Sequence, residues 1–519
     1  MTVKTLVKRS EYHDSVTLML VARELSKLPG VLDAAVIMAT EANKALLKQS
    51  GLLTPEAQAA TPNDLVIAVG TSDGKADAAL AEAEKLLHKK RDAGEAAEFR
   101  PKTLRGAVKA NPNANVAVIS VAGRYAADEA WDALRRGLHV ILFSDNVSLE
   151  DEIALKKYAR DHGLLLMGPG AGTTILNGVA LGFANVVSAG PVGIVSAAGT
   201  GLQEVSTLLA KQGIGITQGL GTGGRDLREE VGGSMMLEAL KALQADPATQ
   251  VIALISKPPS PAVAEAILDQ VAAGSKPTVV GFMGGDPAQV SAVPNAIPAR
   301  TLQETALLAA QAAGADIASV DDIIEREERD LELQADVLRS LLAPGQRYLR
   351  GLFSGGTLCY EAQVVWQDIL AEPVLSNAPL GKHDKLPDST RSQKHTAVDL
   401  GEEEFTVGRP HPMIDNDLRV RRLMQEARDP DTAVIMLDVV LGYGAHPDPA
   451  SELGPAVRQA RKIAEEAGRE LIVIASVTGT EEDPQGLSRQ VDALADAGAI
   501  VCDSNAAAAR LAAKIVGKG

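Results

Sequence analysis

The stretch Val192–Val205, VGIVSAAGTGLQEV, constrains the fold more than any other part of the chain. Its first four residues predict a strand buried on both faces of a parallel sheet, and a turn of small residues then leads into a helix. The backbone N–H groups at such a helix N-terminus favour an anion. The alternative is a plain tight turn in which glycine and alanine only allow close packing.

Strands and helices alternate through the rest of the chain, which predicts an α/β protein built on doubly wound parallel sheets. With 519 residues, three or four domains are expected. The predicted domains are a small α/β domain at 1–105, a Rossmann-like domain at 106–190, a flavodoxin-like domain at 191–320, a linker helix at 321–345 and a second flavodoxin-like domain at 346–519.

Some segments carry predictions of their own. A helix is expected at Glu41–Gln49 and a polar linker at Asp92–Thr103. The charge-dense run Asp321–Leu342 predicts an amphipathic helix with a solvated face. The polar, proline-containing segment Glu372–Thr396 predicts a long loop.

Composition excludes several classes of protein. No apolar run approaches the ~20 residues needed to span a bilayer, and the N-terminus lacks the apolar region of a signal peptide, so a cytoplasmic protein without a membrane segment is expected. A net charge of -16 and 3% aromatic residues argue against binding to nucleic acid. The only cysteines, Cys359 and Cys502, have no metal-ligand spacing, so neither a disulfide framework nor a metal site is expected.

Three glycine-rich turns follow predicted strands, and each could bind a phosphate or carboxylate through backbone N–H groups. The candidate binding residues are Ser196, Gly199, Thr200, Gly201, Gly223, Gly224, Gly355, Gly356 and Thr357. Arg225, a further candidate catalytic residue, adds a guanidinium suited to bidentate recognition of a planar oxyanion. A salt bridge from Arg225 to Asp226 or Glu229 is the alternative.

Two further motifs are candidates. Arg409 and His411 flank Pro410, and Pro412 follows; such a rigid segment would hold a cation and an imidazole in place for electrostatic catalysis. A structural turn with a surface histidine is the alternative. The hydroxyls of Thr478-Gly479-Thr480 could donate to an anion or simply cap the next helix.

Seven motifs are distributed along the chain: SDNVSLEDE at 144–152, VGIVSAAGTGLQE at 192–204, GTGGRDLREEVGG at 221–233, ISKPP at 255–259, FSGGTL at 353–358, TVGRPHPMID at 406–415 and SVTGTEEDPQ at 476–485. In these motifs the sequence resembles the FdrA family, in which a half similar to the α subunit of succinyl-CoA synthetase precedes a CoA-ligase domain similar to that of the β subunit, behind an extra N-terminal domain. The resemblance implies that 106–190 is a CoA-binding-type domain and 346–519 a CoA-ligase-type domain.

One departure from the synthetases bears on the reaction. Their Gly-His-Ala-Gly loop carries a histidine that is phosphorylated, whereas this chain has no histidine from Met283 to Arg300. Without an imidazole nucleophile no phosphohistidine can form. The ATP-grasp half of a synthetase is also not expected, so a free-standing acyl-CoA ligase would be incomplete.

The resemblance implies a role in allantoin breakdown, as a subunit of an oxamate carbamoyltransferase that acts on carbamoyl phosphate and oxamate. This reading requires no cofactor and expects companion subunits in an oligomer. Its hypothesis is that Ser196–Gly201 or Gly355–Thr357 holds phosphate while Arg409 and His411 polarise the transferred carbonyl. The alternatives are a subunit of an ADP-forming acyl-CoA synthetase and a non-catalytic scaffold, both of which would bind CoA.

Overall fold

The computed structural model describes residues 2–9, 11, 13, 15–40, 43–44, 47–48, 50–72, 76–88, 101–406 and 409–517. They form two compact units, one of Met1–Ala110 with Glu402–His411 and one of Asn111–Gly401 with Pro412–Gly519. Among the described residues, no helix combines the length and the apolar character needed to cross a bilayer.

The first unit contains a three-stranded antiparallel sheet in the order β1-β3-β2. Leu65, Ile67 and Val69 on the central strand are buried against one layer of helices, whereas Val66 and Ala68 are buried on the other face. The predicted helix Glu41–Gln49 and linker Asp92–Thr103 fall partly outside the described residues. The elements are β1 (Thr2–Lys8), α1 (Ser15–Ser26), β2 (Val31–Met38), α2 (Pro55–Ala59), β3 (Leu65–Thr71), α3 (Ala76–His88) and α4 (Leu104–Ala110).

The second unit begins with a small parallel sheet in the order β4-β5-β6. The buried strand residues Val140, Ile141 and Leu142 form its centre. Its elements are β4 (Val116–Ile119), α5 (Gly123–Arg135), β5 (His139–Leu142), α6 (Leu149–Asp161) and β6 (Leu166–Met167).

A seven-stranded sheet follows, in the order β13-β12-β11-β9-β10-β7-β8. Its strands are parallel except for β7 and β8, and Ile194 and Val195 of β9 belong to hydrophobic clusters on opposite faces, as a doubly wound sheet requires. Its elements are β7 (Thr173–Leu176), β8 (Val179–Gly182), β9 (Ala189–Ser196), α7 (Gly199–Lys211), β10 (Ile216–Gly221), α8 (Ser234–Ala245), β11 (Val251–Ser256), α9 (Pro261–Ala273), β12 (Thr278–Phe282), α10 (Pro287–Ser291), β13 (Ala296–Pro298) and α11 (Leu302–Ala312).

The antiparallel hairpin of β7 and β8 departs from the parallel sheets that the sequence predicts. Asn177 and Gly178 join the two strands, and both have positive φ, 48° and 77°. An Asn-Gly pair with this geometry is a type I′ turn, the commonest signal for a tight hairpin. The hairpin extends the large sheet, although it falls within the 106–190 segment that the sequence assigned to a separate domain.

Helix α12 (Val320–Arg339) carries the charge-dense run. Its outer face is exposed, as predicted. Its inner acidic residues pair with the last helix of the chain: Arg510 Nη1 lies 2.7 Å from Glu327, and Lys514 Nζ lies 3.0 Å from Glu332. Helix α12 is therefore held against the rest of the second unit by ion pairs as well as by a buried apolar stripe.

A six-stranded parallel sheet completes the unit, in the order β15-β16-β14-β17-β18-β19. The prediction of one long loop over Glu372–Thr396 was wrong, because this segment contains β15 and the beginning of β16, both largely buried. The remaining elements are β14 (Tyr348–Phe353), α13 (Gly356–Ile369), β15 (Val374–Ser376), β16 (His395–Asp399), α14 (Glu403–Thr406, in the first unit), α15 (Asp417–Arg428), β17 (Thr432–Val440), α16 (Pro449–Glu466), β18 (Ile472–Thr478), α17 (Leu487–Asp496), β19 (Ile500–Cys502) and α18 (Asn505–Val516). The α/β fold class is confirmed.

Candidate functional site

Two glycine-rich turns of the second unit have the same construction. Strand β9 ends at Ser196 and α7 begins at Gly199, while β14 ends at Phe353 and α13 begins at Gly356. Both turns therefore lie at the carboxyl ends of parallel strands, where α/β sheets bind ligands.

The N-terminus of α7 has the features of an anion-binding helix end. Within the described part of the chain, nothing accepts a hydrogen bond from the backbone N–H groups of Gly199, Thr200 or Gly201. Ala198 occupies the cap position and has no capping side chain, and the first turn contains no acidic residue. The Ser196 hydroxyl is already used, since its oxygen lies 2.6 Å from the Ala198 carbonyl and 3.1 Å from the Ala198 N–H. A partial positive charge thus remains at this helix end.

Thr173 adds a hydroxyl beside this helix end. It is 1% exposed, and its Oγ1 has no hydrogen-bond partner among the described residues. This oxygen lies 3.3 Å from the point where a Cβ on Gly199 would stand. A buried hydroxyl without a partner is unfavourable unless a ligand or water satisfies it, so Thr173 joins Gly199–Gly201 as a candidate binding group.

The two glycine turns face each other closely. A Cβ on Gly201 would lie 2.9 Å from Cγ2 of Thr357, and a Cβ on Gly355 would lie 2.9 Å from Cγ2 of Thr200. Both distances are shorter than real Cβ contacts, so glycine is needed at both positions to bring the helices together. The structure therefore brings together Gly199, Thr200, Gly201, Gly355, Gly356 and Thr357, as a pair of helix N-termini.

The N-terminus of α13 differs from that of α7 because carboxylates already lie against it. Asp438 accepts hydrogen bonds from the N–H groups of Ser354 at 2.7 Å and Gly355 at 2.8 Å. The Asp399 carboxylate lies 2.6 Å from the position of a Cβ on Gly356. Both aspartates are buried. Internal negative charge thus compensates the positive end of α13, which makes α7 the better candidate for an external anion.

A buried glutamate on each of these two helices accepts a hydrogen bond from a helix that packs on the other helix's sheet. Glu361 on α13 accepts a 2.6 Å hydrogen bond from the N–H of Leu302, the first residue of α11. Glu204 on α7 accepts a 3.0 Å bond from the N–H of Asn505, the first residue of α18. The Asn505 side chain donates to Glu361 at 2.7 Å, and Thr478 donates to Glu204. Each glycine-turn helix therefore caps a helix that follows the other sheet.

Burial, together with the nearby charge of Glu204, raises the pKa of Glu361 to about 7, although the hydrogen bond from Asn505 acts to lower it. A carboxyl group that is fully buried next to another carboxylate favours its neutral form. The contact between the seven-stranded and the six-stranded sheet layers of the second unit therefore contains a carboxyl group with a pKa near neutral pH.

The third glycine turn is fixed by a buried ion network. Lys156 on α6 lies 2.8 Å from Glu152 and 2.9 Å from Asp226, and it donates to the carbonyl of Thr222 at 3.1 Å. Gly223 has φ 86°, and a Cβ there would lie 2.5 Å from the Pro169 carbonyl oxygen. The network attaches this turn to the β4–β6 sheet, and close packing requires glycine at 223. Gly224 lies in open space by comparison, with only Ala197 O within 4 Å of a Cβ position.

Arg225 is engaged in an ion pair. Its Nε lies 2.7 Å from Glu152, and its Nη2 donates to the Val147 carbonyl at 2.8 Å. The salt-bridge alternative thus describes Arg225 well, although the partner is Glu152 rather than Asp226 or Glu229. Its catalytic role stays a prediction.

The motif at 478–480 contributes to packing between the two sheets. Thr478 donates to Glu204, and Thr480 donates to the Val186 carbonyl at 2.8 Å. A Cβ on Gly479 would lie 2.7 Å from Leu441. Both hydroxyls are therefore committed to internal acceptors, and neither of the two predicted roles, anion donor or helix cap, describes them.

Arg409 and His411 belong to the first unit, within Glu402–His411. The N–H of Arg409 donates to the Thr406 carbonyl at 3.1 Å. The hypothesis that these side chains act on a group held by the glycine turns concerns a relation between the two units, and it stays a prediction.

Comparison with known proteins identifies the family. A family model described as CoA-ligase matches residues 352–515, one described as CoA binding domain matches 187–284, and one described as AllF, heavy metal-associated domain matches 1–101. The chain is 46% identical over 527 residues to the uncharacterized protein YahF of Escherichia coli (strain K12), covering 100% of this chain and 99% of YahF. The chain belongs to the FdrA family.

More distant similarity covers part of this FdrA-family chain. It is 31% identical over 186 residues to succinate–CoA ligase [ADP-forming] subunit alpha of Staphylococcus aureus (strain N315), which covers 35% of this chain and 59% of that subunit. Among solved structures, the dinucleotide forming acetyl-coenzyme A synthetase 1 of Ca. Korarchaeum cryptofilum aligns with 78% of this chain and 82% of that chain, at 16% identity and a TM-score of 0.29. The CoA-binding match falls at 187–284, whereas the resemblance had suggested this type for 106–190.

The segment after β12 is the one that the sequence resemblance set against the histidine loop of the synthetases. In this member of the FdrA family, Met283–Asp286 leads into the short helix α10, and Asp286 accepts a 2.9 Å hydrogen bond from the N–H of Ala288. Gly284 contacts α13, since a Cβ there would lie 3.6 Å from the Tyr360 hydroxyl. No His, Cys, Asp and Glu cluster that could bind a metal occurs within the described ranges.

Sequence reasoning missed several of these groups. Thr173 lies next to the Asn-Gly turn signal, which could have shown the hairpin that positions it. Lys156, Glu204 and Glu361 lie inside helices, where a charged residue is ordinarily solvent-exposed. Only their long-range partners distinguish them from surface residues.

Proposed function

We propose that this chain is the FdrA-type subunit of a carbamoyltransferase that moves a carbamoyl group between phosphate and a small acid such as oxamate. The match of residues 1–101 to an AllF-type domain supports a link to allantoin breakdown. The observation that carries the proposal is the N-terminus of α7, where the N–H groups of Gly199–Gly201 have no acceptor among the described residues and the segment after β12 has no histidine.

The reaction needs an anion site and no phosphoenzyme. In the direction that consumes carbamoyl phosphate, the amide nitrogen of oxamate forms a bond to the carbamoyl carbon. The bond from that carbon to the phosphate oxygen breaks, phosphate keeps the electron pair, and the amide proton goes to phosphate or water. The α7 N-terminus would stabilise the negative charge that develops on phosphate, and Thr173 would donate one further hydrogen bond.

Polarisation of the transferred carbonyl is assigned to the GRPHPMID segment. Arg409 and His411 supply a cation and an imidazole on a backbone stiffened by prolines. Arg225 is the second candidate cation, and it would have to act while paired with Glu152.

The test is phosphate release from carbamoyl phosphate and oxamate, with the chain alone and with its companion subunits. Thr173→Val should lower the rate about tenfold or more, since one donor to an oxyanion contributes about 10²–10³-fold in well-formed sites. Thr174→Val is the matched control, because among the described residues the Thr174 hydroxyl has a hydrogen-bond contact only with the sulfur of Met167, at 3.9 Å.

Two results would count against this function. One is the absence of turnover in both mixtures, and the other is a phosphorylated side chain that forms during turnover with nucleotide.

The second candidate is a subunit of an ADP-forming acid–thiol ligase, which the CoA-binding and CoA-ligase family matches favour. CoA would supply the thiol that attacks an activated acid. The α7 N-terminus fits one of its phosphate groups, and a partner subunit would have to bind the nucleotide. Stoichiometric binding of CoA with ADP-dependent thioester formation would establish this function, and CoA binding without turnover would favour a scaffold.

A further inference from the structure

Lys257 lies next to the two helix N-termini. Strand β11 pairs with β9 up to Ile255 and Ser196, and the N–H of Ala197 donates to the Ile255 carbonyl at 3.0 Å. Cγ2 of Ile255 is 3.1 Å from the Cβ position of Gly201. Lys257 follows two residues later, at the carboxyl end of the sheet.

The Lys257 side chain extends towards α13. Its Nζ lies 5.0 Å from the centre of the Tyr360 ring, one turn beyond Thr357 on the same helix. Thr357 is the residue that contacts Gly201 of α7. The ammonium group therefore lies near the place where the two helices meet.

A cation at this position is electrostatically unusual. Helix N-termini carry partial positive charge, which disfavours a neighbouring ammonium group. Lys257 has no ion pair with a carboxylate in the described part of the chain, and its side chain is exposed. Asp438, at the α13 N-terminus, is already engaged by two backbone N–H groups and by Arg419. The Lys257 ammonium is therefore without a carboxylate partner among the described residues and is available to the anionic group of a ligand.

Tyr360 supplies a polar group beside the ammonium. Burial raises the pKa of Tyr360, so its phenol stays protonated at neutral pH and can donate a hydrogen bond. The hydroxyl lies near Gly284, in the segment that replaces the histidine loop. Lys257 and Tyr360 thus place an ammonium group and a phenol hydroxyl, both hydrogen-bond donors, on neighbouring side chains.

We propose that Lys257 and Tyr360 form a carboxylate subsite that binds the acid partner of the reaction, while the α7 N-terminus with Thr173 binds the phosphate. This inference rests on the proposed carbamoyl transfer, which needs two separate anion sites. Lys257 would select acids with a free carboxylate, because a neutral analogue leaves the ammonium group without a partner.

The experiment measures binding of sodium oxamate and of its neutral ester, ethyl oxamate, to the full-length chain by ligand-observed NMR or calorimetry. The wild-type chain should prefer oxamate, and Lys257→Gln should weaken oxamate binding about tenfold or more without changing binding of inorganic phosphate. Lys257→Arg should restore part of the preference. Lys241→Gln is the matched control, since Lys241 is an exposed lysine on α8 paired only with Glu238.

Three results would overturn the subsite: equal binding of oxamate and its ester, oxamate binding by Lys257→Gln at the wild-type level, or an equal loss of phosphate binding in that variant. Circular dichroism of each variant excludes misfolding as the cause of a loss. Failure of the proposed function is a separate result. Lys257-dependent oxamate binding without phosphate release would support the subsite and reject the transferase. Phosphate release that is unaffected by Lys257→Gln would support the transferase and reject the subsite.

Discussion

Glu361 offers a direct test of the contact between the two glycine-turn helices. Its carboxyl group is fully buried and accepts hydrogen bonds from Leu302 and Asn505, and its pKa is raised from 4.5 to about 7. The perturbation is Glu361→Gln, which keeps the shape of the side chain and removes its charge. One amide hydrogen of the variant would face an N–H donor, so a constant loss of stability is expected at every pH.

The pH dependence separates the effect of the charge from this constant loss. Between pH 4.5 and about 7 the folded protein keeps the Glu361 proton that the unfolded chain releases. Stability from this group is therefore fully present below pH 4.5 and is lost as the pH rises through the folded pKa. A difference of about 2.5 pKa units corresponds to about 3 kcal/mol. Wild type should lose about this much between pH 4.5 and 7.5 relative to Glu361→Gln.

Urea unfolding followed by tryptophan fluorescence measures this difference. Both tryptophans, Trp131 and Trp366, lie in the second unit, and Trp366 is fully buried. The free energy of unfolding would be compared at pH 5.0, 6.0, 7.0 and 8.0. Glu325→Gln, on the exposed face of α12, is the control and should follow wild type. A constant difference between wild type and Glu361→Gln across this range would refute the reasoning.

Two further substitutions test the helix ends. Asp438→Asn leaves the buried guanidinium of Arg419 without its charged partner, so unfolding in urea should show a loss of about 3–5 kcal/mol; an unchanged midpoint would contradict the assigned pair. Gly201→Ala places a methyl group 2.9 Å from Thr357 and should destabilise the second unit by about 1–3 kcal/mol. Gly224→Ala has open space around its Cβ and serves as the control, and equal loss in both variants would argue against close helix contact.

Much of the fold could be predicted from local patterns. Buried strands such as Val251–Ser256 and Ile472–Thr478 are short apolar runs between turn signals, which is the pattern that predicts strands of a parallel sheet. The errors have local causes as well. Glu372–Thr396 is polar, and its strands β15 and β16 are short, so the pattern of alternating burial was too weak to detect.

The candidate site was predicted in part. The glycine turn before α7 is placed at a helix N-terminus, as expected. Arg225, Thr478 and Thr480 were candidates for contact with a ligand, each with a structural alternative, and each has an internal partner far away in sequence. The distinction between an engaged polar side chain and an available one depends on those partners, which local sequence does not contain.

By itself the sequence determined the order of the elements, the α/β class, the family and the absence of a histidine nucleophile after β12, because each depends on residue types at short spacing. Only the tertiary structure decided which of two similar helix N-termini is available to an anion. The α13 end is compensated by Asp438 and Asp399, which arrive from neighbouring strands, whereas no carboxylate lies in the first turn of α7. The charge beside a helix end depends on which side chains pack against it, and those side chains come from segments that are distant in sequence.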